Sequence, residues 1–425
     1  MRILALRAAG WRNLAALEVA FDPGVRLNVL SGDNGQGKTN VLEAIYYLSA
    51  FRSFRTSRAI DLVTRGAAAT HIAVEAQGRE LVRTIEAQLT VRDSGLLANA
   101  EAPSGDITPP AGGIAMGEPA ARDPAAREPS AREPSDSAVG RAIKVDGKPV
   151  RGLAAAFGVL SVVLFVPEDL MLIRAPPAAR RRFVDMAISG VEPAYFGEAA
   201  AFQKILRSRN AVLRTGRGAV SSTLLDTYDE QLARAGARVV MRRRDLVRAL
   251  APDVDGVFRS LHGDLPVGLS YLSDPAVATA VTETDVGSAL LAGLARRRTL
   301  DERRGHTTFG PQTDDVDIRL AGRPAREHAS QGQLRSLVLA MKLGELAHVE
   351  GRRGEPPVLL LDDVPSELDP TRRRYLFETL AALSCQTLVS VADPTVVPSL
   401  SGRADFAVRG GTLTPLPVFA LQTSS

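Results

Sequence analysis

Residues 25–48 read VRLNVLSGDNGQGKTNVLEAIYYL, and the reading of this stretch decides the fold. Val25, Leu27 and Val29 alternate with Arg26 and Asn28, the period of a half-buried strand. Gly32-Asp33-Asn34-Gly35-Gln36-Gly37-Lys38-Thr39 then fits the phosphate-loop pattern G-x-x-x-x-G-K-[ST]. Val41, Leu42, Ile45 and Leu48 follow on one face of a helix. Each residue type has a chemical reason. Glycines let the backbone approach an anion closely, and successive N–H groups form a concave nest for phosphate oxygens. The helix start adds the positive end of its dipole. Lys38 can reach the β- and γ-phosphates of a nucleotide, and the Thr39 hydroxyl suits Mg²⁺. A glycine turn that merely joins strand to helix is the plainer alternative, and the matching context on both sides argues against it.

The other parts of the chain set bounds on that site. Its 425 residues suffice for two or three lobes. Apolar residues make up 45% and charged residues 24%, the balance of a soluble globular protein. No run approaches the length of a membrane span, so no membrane role is expected. Arg7, Arg12 and Asn13 interrupt the apolar N-terminus too early for a signal peptide. Cys385 is the one cysteine, which excludes a disulfide framework and a cysteine-rich zinc site. A cytoplasmic protein is expected. The net charge of +4 gives a mild bias toward polyanions. Arginine clusters at 180–182, 242–244, 296–298, 303–304 and 372–374 read singly as solvated helix faces. Beside a nucleotide site they raise nucleic acid as a partner.

Along the chain, 3–6 and 17–21 read as strands, with Trp11-Arg12-Asn13 in a turn between them. Arg12 is either part of an exposed turn or near the nucleotide. Phe51-Arg52-Ser53-Phe54-Arg55 can stack on bases or pack a loop against the sheet. Residues 71–76 and 80–91 alternate like antiparallel strands, and 141–150 resume that pattern around an Asp146-Gly147 hairpin turn. Between them, about 93–140 is rich in Ala, Pro and charge, with repeats such as ARDPAAREPSAREPS, and reads as a disordered insertion at a hairpin tip. LSVVLFV at 160–166 suits a buried strand. From 180 to about 300 the pattern is helical, and Pro193, Gly197, Gly216, Gly218, Pro252 and Gly263 are expected to break it too often for a long coiled coil.

Ser330-Gln331-Gly332-Gln333 opens a further helix, with Ser330 and Gln333 as a capping box. Val358-Leu359-Leu360-Leu361-Asp362-Asp363 reads as a buried parallel strand that delivers two acids to its C-terminal edge, where open α/β sheets bind ligands. Asp362 is expected to hold Mg²⁺ and Asp363 to orient or deprotonate an attacking water. The plain alternative for these acids is capping of the next helix; Ser366-Glu367-Leu368-Asp369 follows and reads as the cap of a helix at 372–383. Residues 387–391 read as the last inner strand.

The phosphate loop, the Ser-Gln-Gly-Gln helix start and the acid strand together resemble the ATP-binding-cassette ATPases. Most of the chain separates Lys38 from Asp362, as in the DNA-repair branch. The finer motifs resemble the RecF family of bacterial recombination mediators. They are Trp11-Arg12-Asn13, the loop, Leu42-Glu43-Ala44-Ile45-Tyr46, Arg52-Ser53-Phe54-Arg55, Pro167-Glu168-Asp169-Leu170, Arg180-Arg181-Arg182-Phe183, Arg209-Asn210, Gly310-Pro311, Ser330 to Arg335 and LLDDVPSELD at 360–369. The likeness spans nearly all of the chain outside the insertion. Ala175, Ser208, Gln312-Thr313 and Pro365 depart from the family pattern, so no role is carried onto the 310–315 turn.

The resemblance implies an α/β fold: an ATPase head with a parallel-sheet core and a β-rich flank, plus an inserted helical lobe. Its halves are expected at 1–170 and 301–425, with the lobe at 171–300. It implies a head-to-tail dimer formed on ATP, in which Ser330, Gln331, Gly332 and Gln333 serve the nucleotide of the other subunit. It further implies Mg²⁺, gapped, junction or single-stranded DNA, RecR and RecO as partners, RecA loading, support of the SOS response and a weak ATPase used as a switch. Asp363 is one methylene shorter than the Glu common at that position, so turnover is expected to be slow. A transporter ATPase would need a compact cassette, a chromosome-organising ATPase long coiled-coil arms, and a zinc-bearing excision-repair ATPase cysteine clusters.

Overall fold

Leu27–Ser31 is buried at all five positions because helices or sheet cover both of its faces. The computed structural model describes residues 1–79, 81–91, 139–215, 222–398 and 402–417. In it, Leu27–Ser31 lies inside a six-stranded sheet ordered Thr412–Pro415, Arg403–Arg409, Leu27–Ser31, Thr387–Val391, Val358–Asp362, Val162–Phe165. All neighbours are parallel except the terminal hairpin of Arg403–Arg409 with Thr412–Pro415. The pleat sends Val29, Leu361 and Val389 into one apolar cluster and Leu30, Leu360 and Leu388 into another. A parallel strand thus follows the one expected to be last, at Arg403–Arg409. Only Phe406 and Val408 of it are buried, too sparse an alternation to stand out in sequence.

Helix Lys38–Ala50 fills the space between this sheet and a second one. Its burial extends around nearly the whole circumference, beyond the single face that the periodicity marks. The second sheet is antiparallel, ordered Leu14–Ala20, Arg2–Trp11, Ala69–Gln77, Val82–Val91, Val139–Val145, Lys148–Pro149. Asp146 (φ 51°) and Gly147 (φ 73°) form the expected turn. Val91 pairs with Val139, so the low-complexity segment joins two adjacent strand ends. Its expected disorder concerns residues that lie, but for the flanking strand residues, outside those described.

The helical lobe comprises Pro177–Val191, Pro193–Thr215, Ser222–His262 and Glu283–Arg304. Two of the expected breaks do not occur. Gly197 lies within Pro193–Thr215, and Pro252 lies within the 41-residue helix Ser222–His262. Pro252 and Arg248, whose carbonyl loses its partner, are both exposed, so water can satisfy that oxygen. Buried Leu246, Val247, Leu250, Val254 and Phe258 hold the helix on its other side. The long helix packs against Pro193–Thr215, Glu283–Arg304 and Gln331–Arg353. The boundary expected at 300 falls inside Glu283–Arg304. Beyond it, Asp315–Leu320 pairs with Val267–Leu272 in a three-stranded sheet of the lobe.

Some arginines, two of them from the clusters, serve inside. Fully buried Arg209 bonds Asp229, Asp301 and Thr307. Arg180 forks onto Asp315 and donates to three carbonyls, and Arg243 forks onto Asp185. Arg182, Arg242, Arg296, Arg297, Arg303, Arg304 and Arg374 remain exposed, as the solvated reading expects. Beside Arg243, burial pushes the Asp314 carboxyl up to about 6, although the Tyr271 hydroxyl donates to it at 2.7 Å and Arg243, Arg181 and Arg244 oppose the shift. A raised folded pKa favours the protonated form, so its contribution to stability is complete below 3.8 and is lost as pH rises through about 6. Asp314→Asn should therefore stabilise the protein at pH 8 by roughly 2–3 kcal/mol, with the gap closing by about pH 4. Urea unfolding at the two pH values measures it. A variant less stable at pH 8 contradicts the assignment.

Candidate nucleotide site

The glycine loop leaves Leu27–Ser31 and enters helix Lys38–Ala50 through three residues of positive φ: Gly32 (151°), Gly35 (80°) and Gly37 (112°). Gly37 is the N-cap residue and no side chain caps the helix, so its first N–H groups stay available to an anion. Neighbouring segments pin the loop. Asn13 Nδ2 donates to the Gly35 carbonyl at 3.2 Å, and Asn40 Nδ2 donates to Asn13 Oδ1 at 2.7 Å. Gly410 N donates to Gln36 Oε1 at 2.8 Å, and Gly411 N to the Gln36 carbonyl at 2.9 Å. Gln36 thus braces the loop with its side chain. The Lys38 ammonium bends over the loop and donates to the carbonyls of Gly32 (2.6 Å) and Asp33 (2.9 Å). Asn34 sits at the loop's crest, between them and Gly35.

The sheet order brings the acid strand to this loop. Thr39 Oγ1 donates to Asp362 Oδ1 at 2.9 Å across 323 positions of sequence. Ser390, at the end of the intervening strand Thr387–Val391, donates to the same oxygen at 2.6 Å. Burial pushes the Asp362 carboxyl up, and the bonds from Ser390 and Thr39 pull it partly back. The positive field of Arg55 also lowers it, and the negative field of Glu168, from the segment after Val162–Phe165, adds to the rise. Among the described residues no ion pair neutralises Asp362. Hydroxyls of Thr39 and Ser390 around a buried carboxylate that forms no ion pair fit Mg²⁺, which takes one or two protein oxygens and completes its shell with phosphate and water. No cluster of three or more His, Cys, Asp or Glu among the described residues offers a different metal site.

Asp363 follows in a left-handed conformation, φ 55°. Its N–H donates to the Ser390 carbonyl at 3.0 Å, and its side chain accepts from the Ser366 hydroxyl at 2.7 Å without capping the helix. Ser330 and Gln333 form the reciprocal capping box expected of them, with bonds of 2.9 and 3.2 Å. Ser330 and Gln331 are exposed, with Gly332 behind them. Their helix packs against Val162–Phe165, the edge strand far from the phosphate loop. No hydrogen bond or ion pair among the described residues joins this turn to the loop of the same chain. The structure therefore assembles Lys38, Thr39 and Asp362, sets Asp363 beside them, and leaves the Ser330 turn apart.

Packing bears on two alternatives left open by the sequence. Arg12 (φ 54°) sets a fork on buried Glu43, with both bonds at 2.8 Å, so its guanidinium braces helix Lys38–Ala50. Phe51 is buried against Phe157, and Phe54 lies edge-on to Tyr46, so these aromatics pack the loop. Ser390 escaped the sequence reading. The signal for it was a lone serine in the otherwise apolar end of its strand.

Glycine demand differs along the loop. A Cβ at Gly32 would stand 2.4 Å from the Val408 carbonyl oxygen, whereas at Gly35 nothing lies within 4 Å. Gly35→Ala should cost about 1 kcal/mol in left-handed strain, and Gly32→Ala at least twice that because backbone must move. Urea midpoints order the two variants, and equal losses contradict the close approach.

The chain is 38% identical to the DNA replication and repair protein RecF of Anaeromyxobacter sp. (strain Fw109-5) over 98% of this chain and 100% of that one. It is 35% identical to RecF of Myxococcus xanthus over 93% and 92%. The solved structure of the recombination mediator protein RecF with ATP in the RecFOR pathway superposes with a TM-score of 0.81 at 26% identity, over 98% of each chain. A crystal structure of an Smc head bound to the C-terminal winged-helix domain of ScpA matches at 0.51 and 14% identity, over 99% and 98%, a likeness of fold alone. No protein-family model matches the chain.

Proposed function

The chain belongs to the RecF family of DNA replication and repair proteins, and from that membership we propose that it is an ATP-driven, DNA-binding dimer of recombinational repair. The bond from Thr39 to Asp362 carries this reading, because it places a hydroxyl and a buried carboxylate at the mouth of the loop. ATP lies along Gly32, Asp33, Asn34, Gly35, Gln36 and Gly37, with the N–H groups and the Lys38 ammonium toward its phosphates. To meet them, Lys38 exchanges its two loop carbonyls for phosphate oxygens. Thr39 and Asp362 hold Mg²⁺, which when bound neutralises phosphate charge. Asp363 orients the attacking water, with Ser366 holding its carboxylate. Arg12 borders the nucleotide through its neighbour Asn13, which fixes the loop.

The Ser330 turn meets the nucleotide held by a second copy. Its exposed hydroxyl and helix N-terminus suit a γ-phosphate, and Gln331, Gly332 and Gln333 complete that contact. ATP then favours the dimer by its differential contacts, and hydrolysis releases it. The short Asp363 side chain suits slow turnover, a switch rather than a metabolic enzyme. The dimer binds duplex DNA, gapped, junction or single-stranded regions mainly through phosphates, with exposed arginines such as Arg296 and Arg303 as candidates. Family likeness extends the reading to RecR and RecO as partners, RecA loading, the SOS response and a cytoplasmic setting. No described helix is long and apolar enough to cross a membrane.

Lys38→Ala should abolish ATP-dependent dimerisation in sedimentation while leaving the thermal unfolding of the free chain within a few degrees of the unsubstituted protein. Dimers that form with ATP as before contradict the reading.

A further inference from the structure

Arg372 stands where three elements meet. Its Nε donates to the Ser336 hydroxyl at 2.6 Å, and its Nη1 pairs with the Asp369 carboxylate. Ser336 is fully buried in the second turn of helix Gln331–Arg353. Its hydroxyl also meets Nε2 of His262, the last residue of the long lobe helix, at 2.8 Å. Arg372 Nη2 lies 2.8 Å from where a Cβ on Gly332 would sit, so the guanidinium rests against the Gln-Gly-Gln turn. A second tie runs alongside: Arg335 Nη1 donates to the Glu367 carbonyl at 2.9 Å.

Both ties end on the segment that follows the acid strand. Asp369 caps helix Pro370–Ala382, on which Arg372 sits. Three residues before Asp369, the Ser366 hydroxyl holds Asp363. Hydrogen bonds, the short backbone stretch from Ser366 to Asp369 and the packing of Arg372 on Gly332 therefore lead from the carboxylate that serves a subunit's own nucleotide to the turn that serves its neighbour's. Within it the Arg372 links to Ser336 and Asp369 are charge-assisted and part-buried, so their loss is poorly made good by water.

We propose that Arg372 is a positioning residue that couples the two nucleotides of the dimer, by joining the Asp363–Asp369 segment to the Ser330 turn within one chain. The inference rests on the dimeric reading above. A nucleotide that orders Asp363 and Ser366 also orders Asp369 and Arg372, and these set Gly332 for the opposite nucleotide. The second ATP then binds to a turn already in place, and singly loaded dimers are scarce. His262 brings the lobe's long helix to the same knot, so the lobe follows the nucleotides.

The test is native mass spectrometry of the full-length protein in ATP, counting dimers that carry one and two nucleotides. The unsubstituted protein should pass from free chains to doubly loaded dimers with little singly loaded species. Arg372→Lys keeps a cation but loses the Nε contact, and Ser336→Ala removes its acceptor. In both, singly loaded dimers should rise toward about half of all dimers at half saturation, as for independent sites. ATP affinity of the free chain, measured at dilutions below dimerisation, should stay unchanged in both. Variants that keep the original distribution, or that lose affinity as free chains, overturn the coupling alone. An unsubstituted protein that stays monomeric in ATP overturns the dimeric reading and this inference with it.

Discussion

A buried carboxylate with no cation partner governs the arrangement. Asp362 accepts from Thr39 and Ser390 on one oxygen while burial raises its pKa. Hydroxyls stabilise a carboxylate but do not neutralise it, so the site favours a cation bound at that oxygen. The position depends on the parallel sheet. Leu27–Ser31 comes from the start of the chain, Val358–Asp362 and Thr387–Val391 from its end, and pairing them sets Thr39 beside Asp362. Neither half of the chain holds the site alone.

The second constraint is helix Gln331–Arg353, shared by sheet and lobe. Its middle turns carry Lys342, buried between Glu345 at 3.2 Å and Asp169 at 3.4 Å and lying over the Phe183 ring. Asp169 belongs to the segment that follows the edge strand Val162–Phe165. Breaking one partner would leave an uncompensated buried charge, so the triad locks the helix in register with the sheet. The exposed Ser330 turn is thus held in place from the middle of its own helix as well as by the Arg372 and Arg335 ties beside it.

Local patterns made much of this legible. The phosphate loop, the Ser330–Gln333 capping box and the Asp362 strand are set by spacing within a few residues. Each appears where periodicity and turn chemistry placed it. What escaped depends on distant partners. Arg180 reads as part of a solvated cluster until Asp315 meets it across 135 positions, and nothing local points from Arg209 to Asp301, 92 positions on. Pro252 signals a break, yet tertiary packing along Ser222–His262 outweighs the single lost bond. The strand Arg403–Arg409 exists because Leu27–Ser31 offers it a pairing edge. Arg12 shows a limit of another kind, since proximity to the loop was legible but its commitment to Glu43 was not.

The central claim is that Asp362 and Thr39 together seat the cation that accompanies ATP. Electron paramagnetic resonance of Mn²⁺ added with ATP to the free chain tests it most directly, comparing the unsubstituted protein with Asp362→Asn. Asparagine keeps the size and can still accept from Thr39 and Ser390, but it carries no charge. The account predicts that protein-bound Mn²⁺ falls at least tenfold in Asp362→Asn while its fold persists. Equal Mn²⁺ binding in the two proteins would contradict it.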